Sequence, residues 1–259
     1  MKFIFTLSLS FITFSLAAQL TEKIETDRPD QTECPYTVPH HWIQAEMGIV
    51  KEKPGTKISH WSIPSVLWKY GISEKMELRV ITEYSSYTFD NKYKDTIGFH
   101  PVHIGFKLQL WEEKGWLPKT SIIAQAGFNR LASKDFRSLS FLAPNFRFTM
   151  QNTLTEEISL GYNIGAEWDD TKSNAVFAYT FAPGFSLSEQ WYAYVEAFGF
   201  IQKGEAAQHN IDGGFAYNSS SNVKLDLSGG IGISKESPAW YVNLGCSFRF
   251  ALKRKTNKE

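Results

Sequence analysis

Asn243-Leu-Gly-Cys-Ser-Phe-Arg-Phe250 is the stretch that decides the fold. Leu244, Cys246, Phe248 and Phe250 fall on one face of an extended chain, and Asn243, Gly245, Ser247 and Arg249 on the other. Successive strand side chains point to opposite faces, so this strand has one apolar and one polar side. The last strand of a soluble sandwich would show the same alternation, so the rest of the chain has to discriminate.

The pattern repeats backward along the sequence. Asn222–Ser234 sets Val223, Leu225, Leu227, Ile231 and Ile233 against Lys224, Asp226, Ser228, Gly230 and Gly232. Glu157–Trp168, Lys119–Asn129 and Pro101–Trp111 alternate in the same way, and Met76–Thr88 sets Met76, Leu78 and Val80 against Glu77, Arg79, Glu83 and Ser85. In Asn174–Leu187 the outer set is Phe177, Tyr179, Phe181 and Phe185. Trp191–Ile201 stays ambiguous, because Tyr192, Tyr194 and Phe198 share a face with Glu196. Counted from Trp42 to Ala251 there are about twelve such segments, most close to the 9–11 residues that cross a bilayer when tilted. No stretch has helical periodicity.

Three features favour lipid over a soluble core. The segments exceed the 5–6 residues usual in a sandwich. Their polar face is rich in Gly (Gly48, Gly105, Gly127, Gly161, Gly165, Gly214, Gly230, Gly232), which suits a crowded, curved interior. Trp and Tyr gather at segment ends, where aromatic girdles sit. The fold class read from these patterns is all-β: an antiparallel transmembrane β-barrel of about twelve strands, both ends on one side. In that frame Asn243, Gly245, Phe248 and Phe250 resemble the closing-strand signal that barrel assembly machinery recognises, and outer-membrane lipid is the wall's other partner.

The remaining segments divide the chain. Residues 1–18 read as a cleaved export signal: Lys2, an apolar run to Leu16, then small residues. Residues 19–41 are irregular, since Pro29, Pro35 and Pro39 each remove a backbone donor. Asp27, Arg28, Asp30 and Glu33 make this a candidate plug, expected to dock at the barrel mouth against lumen charges that include Arg249; a solvated leader is the alternative. Residues 42–251 form the barrel, and a basic tail, 252–259, follows. Cys34 and Cys246 are the two cysteines, and both are expected to be free thiols. Lys and Arg number 27 against 27 Asp and Glu, so no basic excess points to nucleic acid.

The opening residues carry a resemblance. Thr26-Asp27-Arg28-Pro29-Asp30-Gln31-Thr32-Glu33, then Val38-Pro39, then Gln44-x-Glu46-x-Gly48, resembles the start of the proteins named for the meta-cleavage pathway of phenol degradation. Tyr70-Gly71-Ile72, Glu77-Leu78-Arg79, Asn163-x-Gly165-x-x-Trp168, Glu196, His209-x-x-Asp212-x-Gly214 and Leu225-Asp226-x-Ser228-x-Gly230-x-Gly232 extend it over nearly the whole mature chain. The resemblance implies a transporter of the Gram-negative outer membrane for small solutes, with hydrophobic or aromatic compounds as candidates. His40-His41 stand where a Gly is usual after Val-Pro.

The predicted lumen carries Glu46, Lys69, Glu77, Arg79, Glu83, Lys107, Arg147, Glu157, Glu167, Glu196, Asp212, Lys224, Asp226 and Arg249. Buried charges require partners, so these either pair across the wall as structural filling or line a solute path. The competing classes are a structural barrel without flux and an outer-membrane hydrolase. The latter would use inward His103 and Ser121 on the neighbouring strand. His40-His41 with Asp27, Asp30 and Glu33 show no diagnostic metal spacing. The reading is therefore a transporter, not an enzyme, with no cofactor or metal assigned.

Overall fold

The computed structural model describes residues 23–55, 57–90, 94–137, 142–168 and 174–252. The export signal and nearly all of the basic tail lie outside these residues. The first six strands are β1 (Trp42–Gly55), β2 (Ile58–Ser73), β3 (Met76–Phe89), β4 (Thr96–Phe99), β5 (Val102–Trp111) and β6 (Lys119–Phe128). They continue as β7 (Leu142–Thr153), β8 (Ile158–Trp168), β9 (Ala175–Ser186), β10 (Trp191–Gln202), β11 (Gln208–Ser220), β12 (Val223–Gly232) and β13 (Trp240–Ala251). Among the described residues, helix is confined to two three-residue 3-10 turns between β6 and β7.

All neighbours pair antiparallel in chain order, and β1 pairs with β13 to close the wall. Twelve strands form the closed wall. The thirteenth, β4, has four residues and pairs with the far-end extension of β3, from Tyr84↔Phe99 to Tyr87↔Thr96. The sequence pattern had no room for β4, because four residues carry too little alternation to register. The end where β1 begins and β13 finishes is called the near end below, and the opposite end the far end.

The molecule is apolar outside and polar inside. Phe177 and Leu244 are 60% and 58% exposed on the outer face, whereas Glu77, Arg79 and Lys107 inside are no more than 1% exposed. In water this distribution would be unfavourable on both counts, since apolar area favours leaving water and charge favours staying in it. A bilayer outside and a paired, partly hydrated interior reverse both signs. Trp61, Trp168 and Trp240 are exposed at the far end and Trp111 and Trp191 at the near end, in two girdles.

The ambiguous strand β10 turns its aromatics inward. Tyr194, Glu196 and Phe198 are buried while Val195 and Ile201 are exposed. Across β2 the outer pattern shifts at Ile63-Pro64, where the pairing with β3 skips from Ser62↔Ser85 to Ser65↔Glu83 and both residues lie outside. Cys34 lies inside the barrel and Cys246 on the outer-facing set of β13, both as free thiols.

The depth dependence of the wall is testable. Leu244→Arg, at the middle of β13, is expected to cost about 2–4 kcal/mol of folding stability in bilayers. Leu117→Arg, in the near-end turn between β5 and β6, should cost about 0–1 kcal/mol. Equal costs in reversible denaturant unfolding from phospholipid vesicles would contradict a lipid-facing wall.

Candidate functional site

Residues 23–41 run inside the barrel and touch most of its wall. Ile24, Thr26, Asp27, Thr32 and Val38 are buried there. Prolines at 29, 35 and 39 keep the segment from joining the sheet, so its backbone groups bond to wall side chains instead. Asp27 N–H donates to Glu46 at 2.9 Å, Gln31 N–H to Glu196 at 2.8 Å, Glu33 N–H to Asn163 at 2.7 Å and Val38 N–H to Glu77 at 2.7 Å. In return the Pro35 carbonyl accepts from the Ser121 hydroxyl at 2.5 Å, and the Cys34 carbonyl from Lys107 at 2.7 Å.

Asp27 is the centre of the charge network. Its carboxylate lies 2.5 Å from Lys69 Nζ, 2.7 Å from Arg79 Nη1 and 2.8 Å from Lys107 Nζ. These cations come from β2, β3 and β5, adjacent in the wall. Glu46 holds Lys69 at 2.5 Å and Glu77 holds Arg79 at 3.0 Å, which completes the cluster. Glu33 reaches Arg79 at 2.6 Å and Arg147 at 3.5 Å. Burial pushes the Asp27 carboxyl up, but Lys107, Lys69 and Arg79 together outweigh it and hold it well below the usual carboxylate range.

On the opposite wall the polarity is reversed. Arg28 donates to Asp226 at 3.0 Å and to Asn243 at 2.7 Å. Gly48 and Gly245, directly paired across β1 and β13, make the notch that holds it. A Cβ at either position would stand 2.2 or 2.4 Å from the Arg28 guanidinium. The Thr32 hydroxyl donates to Glu196 at 2.6 Å and lies 2.6 Å from that of Thr180. Asp212 accepts from the Tyr241 hydroxyl. Asp30 lines a near-end pocket of about 320 Å³ together with Lys224 and Glu25. At the far side of the segment, Gln31, Phe198, Phe200, Asn210, Tyr241 and Asn243 line a vestibule of about 260 Å³.

The segment therefore reaches the middle of the barrel, deeper than a docking at its mouth. Glu46, Glu77, Arg79, Lys107, Arg147, Glu196 and Asp226 all contact it. Further lumen candidates lie elsewhere: Asp212 accepts from the Tyr241 hydroxyl, and Glu157 stands in the near-end turn between β7 and β8. Glu83 approaches His60, Glu167 accepts from Asn145 at 3.3 Å near the far end, and Arg249 donates to Asn222 and Ser221 at the near rim. Arg249 stands two residues before the end of β13, a position from which it reaches the adjacent turn. Phe248 and Phe250 face outward, Asn243 and Gly245 inward against Arg28.

The hydrolase arrangement does not assemble. His103 faces Gly127 and Ser121 faces Gln109, six residues apart in register, or roughly 20 Å. Asp27 and Glu33 are committed to cations, and His40 stacks on His41 with ring centroids 3.7 Å apart. Gln44, Asn163 and Thr180, which also hold the segment, carry no charge signal that sequence reading would select. They stand on the polar face, and that is the only mark they have.

The family described as "Putative MetA-pathway of phenol degradation" matches residues 26–250. No curated protein matches the chain in sequence. Among solved structures, the COG4313 outer membrane channel from Pseudomonas putida F1 is similar with a TM-score of 0.67 at 10% identity, over 87% of this chain and 100% of that one. The KdgM porin has a TM-score of 0.53 at 10% identity, covering 80% of this chain and 99% of its own. The NanC porin has 0.51 at 7% identity, covering 80% and 98%. At these identities the likeness is one of fold.

Asp27→Asn leaves three buried cations short of a partner, a change of about 3–5 kcal/mol against docking of the segment. A carboxyl depressed by docking stabilises the docked state above its undocked pKa, and that stability is lost only as pH falls through the lower, docked value. Protease protection of residues 23–41 should therefore survive acidification to about pH 4, the ordinary carboxylate value. Below that it should fail, and Asp27→Asn should lose it already at pH 7. Wild-type protection that fades by pH 5.5 would contradict the role given to Asp27.

Proposed function

The chain belongs to this phenol-degradation family, and on that premise we propose that it is an outer-membrane channel for small solutes, closed by residues 24–39 and opened when they withdraw. One observation carries the proposal. Six ion pairs among the described residues join the segment to the wall, through Asp27, Arg28 and Glu33. A barrel filled only for stability would satisfy its lumen charges wall to wall. Here the wall supplies only part of the balance, through Glu46 and Glu77, and a tethered peptide that is not part of the sheet supplies the rest.

Withdrawal leaves a path with a lateral polarity. Lys69, Arg79, Lys107 and Arg147 line one side, and Glu196, Asp212 and Asp226 the other. Such a path orients dipolar solutes and keeps water in the lumen. The far vestibule adds the faces of Phe198 and Phe200 beside the amides of Asn210 and Asn243. That combination suits a small aromatic compound bearing a hydroxyl or carboxylate. The short near-end turns support reading that end as the periplasmic one. The protein is read as a transporter and not an enzyme, with His103 and Ser121 too far apart for a shared reaction.

Ordering a segment costs about 1–2 kcal/mol per fixed residue, and charge-assisted bonds return about 1.5–3 kcal/mol each. The balance for a stretch this long is close, so docking is reversible and salt-sensitive. In planar bilayers the full chain should conduct in brief, small openings. Deleting residues 24–39 should give sustained, larger ones, with high salt shifting the full chain part of the way. Unchanged conductance in a deletion variant that still migrates as a folded barrel would reduce the segment to a leader.

A further inference from the structure

Toward the far end, on the lumen side of β2, the Nε2 of His60 is buried and has no hydrogen-bond partner. The residue is more than nine-tenths buried, at 7% exposure. Its other nitrogen, Nδ1, lies 3.0 Å from Glu52 Oε2 on β1. A carboxylate can only accept, so Nδ1 carries a proton, and in the neutral ring Nε2 presents a bare lone pair. That lone pair is 4.0 Å from Glu83 Oε1 on β3. A nitrogen of His100, in the connection between β4 and β5, completes the group, and the three donor atoms lie within 4.8 Å of one another.

We propose that His60, Glu83 and His100 bind a divalent transition-metal ion of the zinc class at the far mouth of the lumen. Two imidazoles and one carboxylate are a donor set of intermediate softness that suits zinc and its neighbours and leaves a fourth position for water or solute. Tetrahedral bonds of about 2.0–2.1 Å put donor atoms roughly 3.3 Å apart, so closing the site needs side-chain shifts of about 1 Å. The surroundings hold the ligands in place. Glu52 fixes the His60 tautomer, as the outer carboxylate of a carboxylate–histidine–metal chain does. Ser85 Oγ lies 2.6 Å from His100 Nε2, and His100 N–H donates to the Glu83 carbonyl at 2.9 Å. Tyr87 stacks on His60 and Phe136 packs on His100, at 4.2 and 4.4 Å between centroids. The Glu83 side chain is 28% exposed, which gives an ion a way in. Binding would tie β2 and β3 to the β4–β5 connection and so set the shape of the far mouth, independently of the segment.

The test uses the untagged, refolded full chain and zinc or cobalt(II) alone. Calorimetry should give one tight zinc equivalent, at least 100-fold weaker in His60→Ala and in His100→Ala. Glu52→Gln should weaken it about 10- to 100-fold, as loss of an orienting partner does. A variant with both His40→Ala and His41→Ala should bind as wild type. X-ray absorption of the zinc-loaded wild type should show two imidazole ligands, which decides the matter even where a variant fails to fold. No binding, binding lost with His40 and His41, or an absorption spectrum without paired imidazoles would each overturn the proposal.

Discussion

The interaction on which the interior depends is the Asp27 carboxylate shared by Lys69, Arg79 and Lys107. Three neighbouring strands deliver three cations to one level of a narrow space. The wall answers with Glu46 and Glu77, so the cluster with Arg147 has four cations against two wall carboxylates. Asp27 and Glu33 bring the balance to zero. An unpaired buried charge costs several kcal/mol, so the empty lumen is the unfavourable state there unless water or a solute replaces the segment. The opposite wall is acidic and receives Arg28. The order Asp27-Arg28 in the sequence thus matches the polarity across the lumen.

This arrangement is possible because lipid takes over the task a hydrophobic core would perform. Apolar side chains face outward along every long strand, which leaves the inner face free for charge, amide and glycine. The glycines have a specific consequence at one place. Gly48 and Gly245 meet across the β1–β13 seam, and the Arg28 guanidinium occupies the space their missing side chains leave. The seam that closes the barrel and the notch that holds the segment are therefore one feature. A larger residue at either position would push Arg28 out without disturbing the outer wall.

Much of this was legible in the chain because it is local. Period-two alternation reports on neighbours two residues apart, and Leu244 against Asn243 reads correctly without any tertiary knowledge. The family resemblance carried the channel reading further than spacing alone. What escaped is non-local. Alternation separates the two faces of β10 but does not say which one is inside, and aromatic Tyr194 and Phe198 sharing a face with Glu196 left two conflicting cues. The four residues of β4 are too few to alternate. Arg249 has the right face and charge, yet its position on β13 sends it to the rim. His60 and His100 stand forty residues apart in the sequence and meet only through β3, so no spacing motif marks them.

Thr32 and Thr180, whose hydroxyls lie 2.6 Å apart, offer the most direct measurement of whether the segment is a reversible closure. A chain with Thr32→Cys and Thr180→Cys, and with Cys34 and Cys246 replaced by Ser, places a disulfide between the segment and β9. Single-channel recording should show conduction silenced in the oxidised protein and openings restored by reductant. Openings of the same size and frequency in both states, with the cross-link verified by mass spectrometry, would contradict the account.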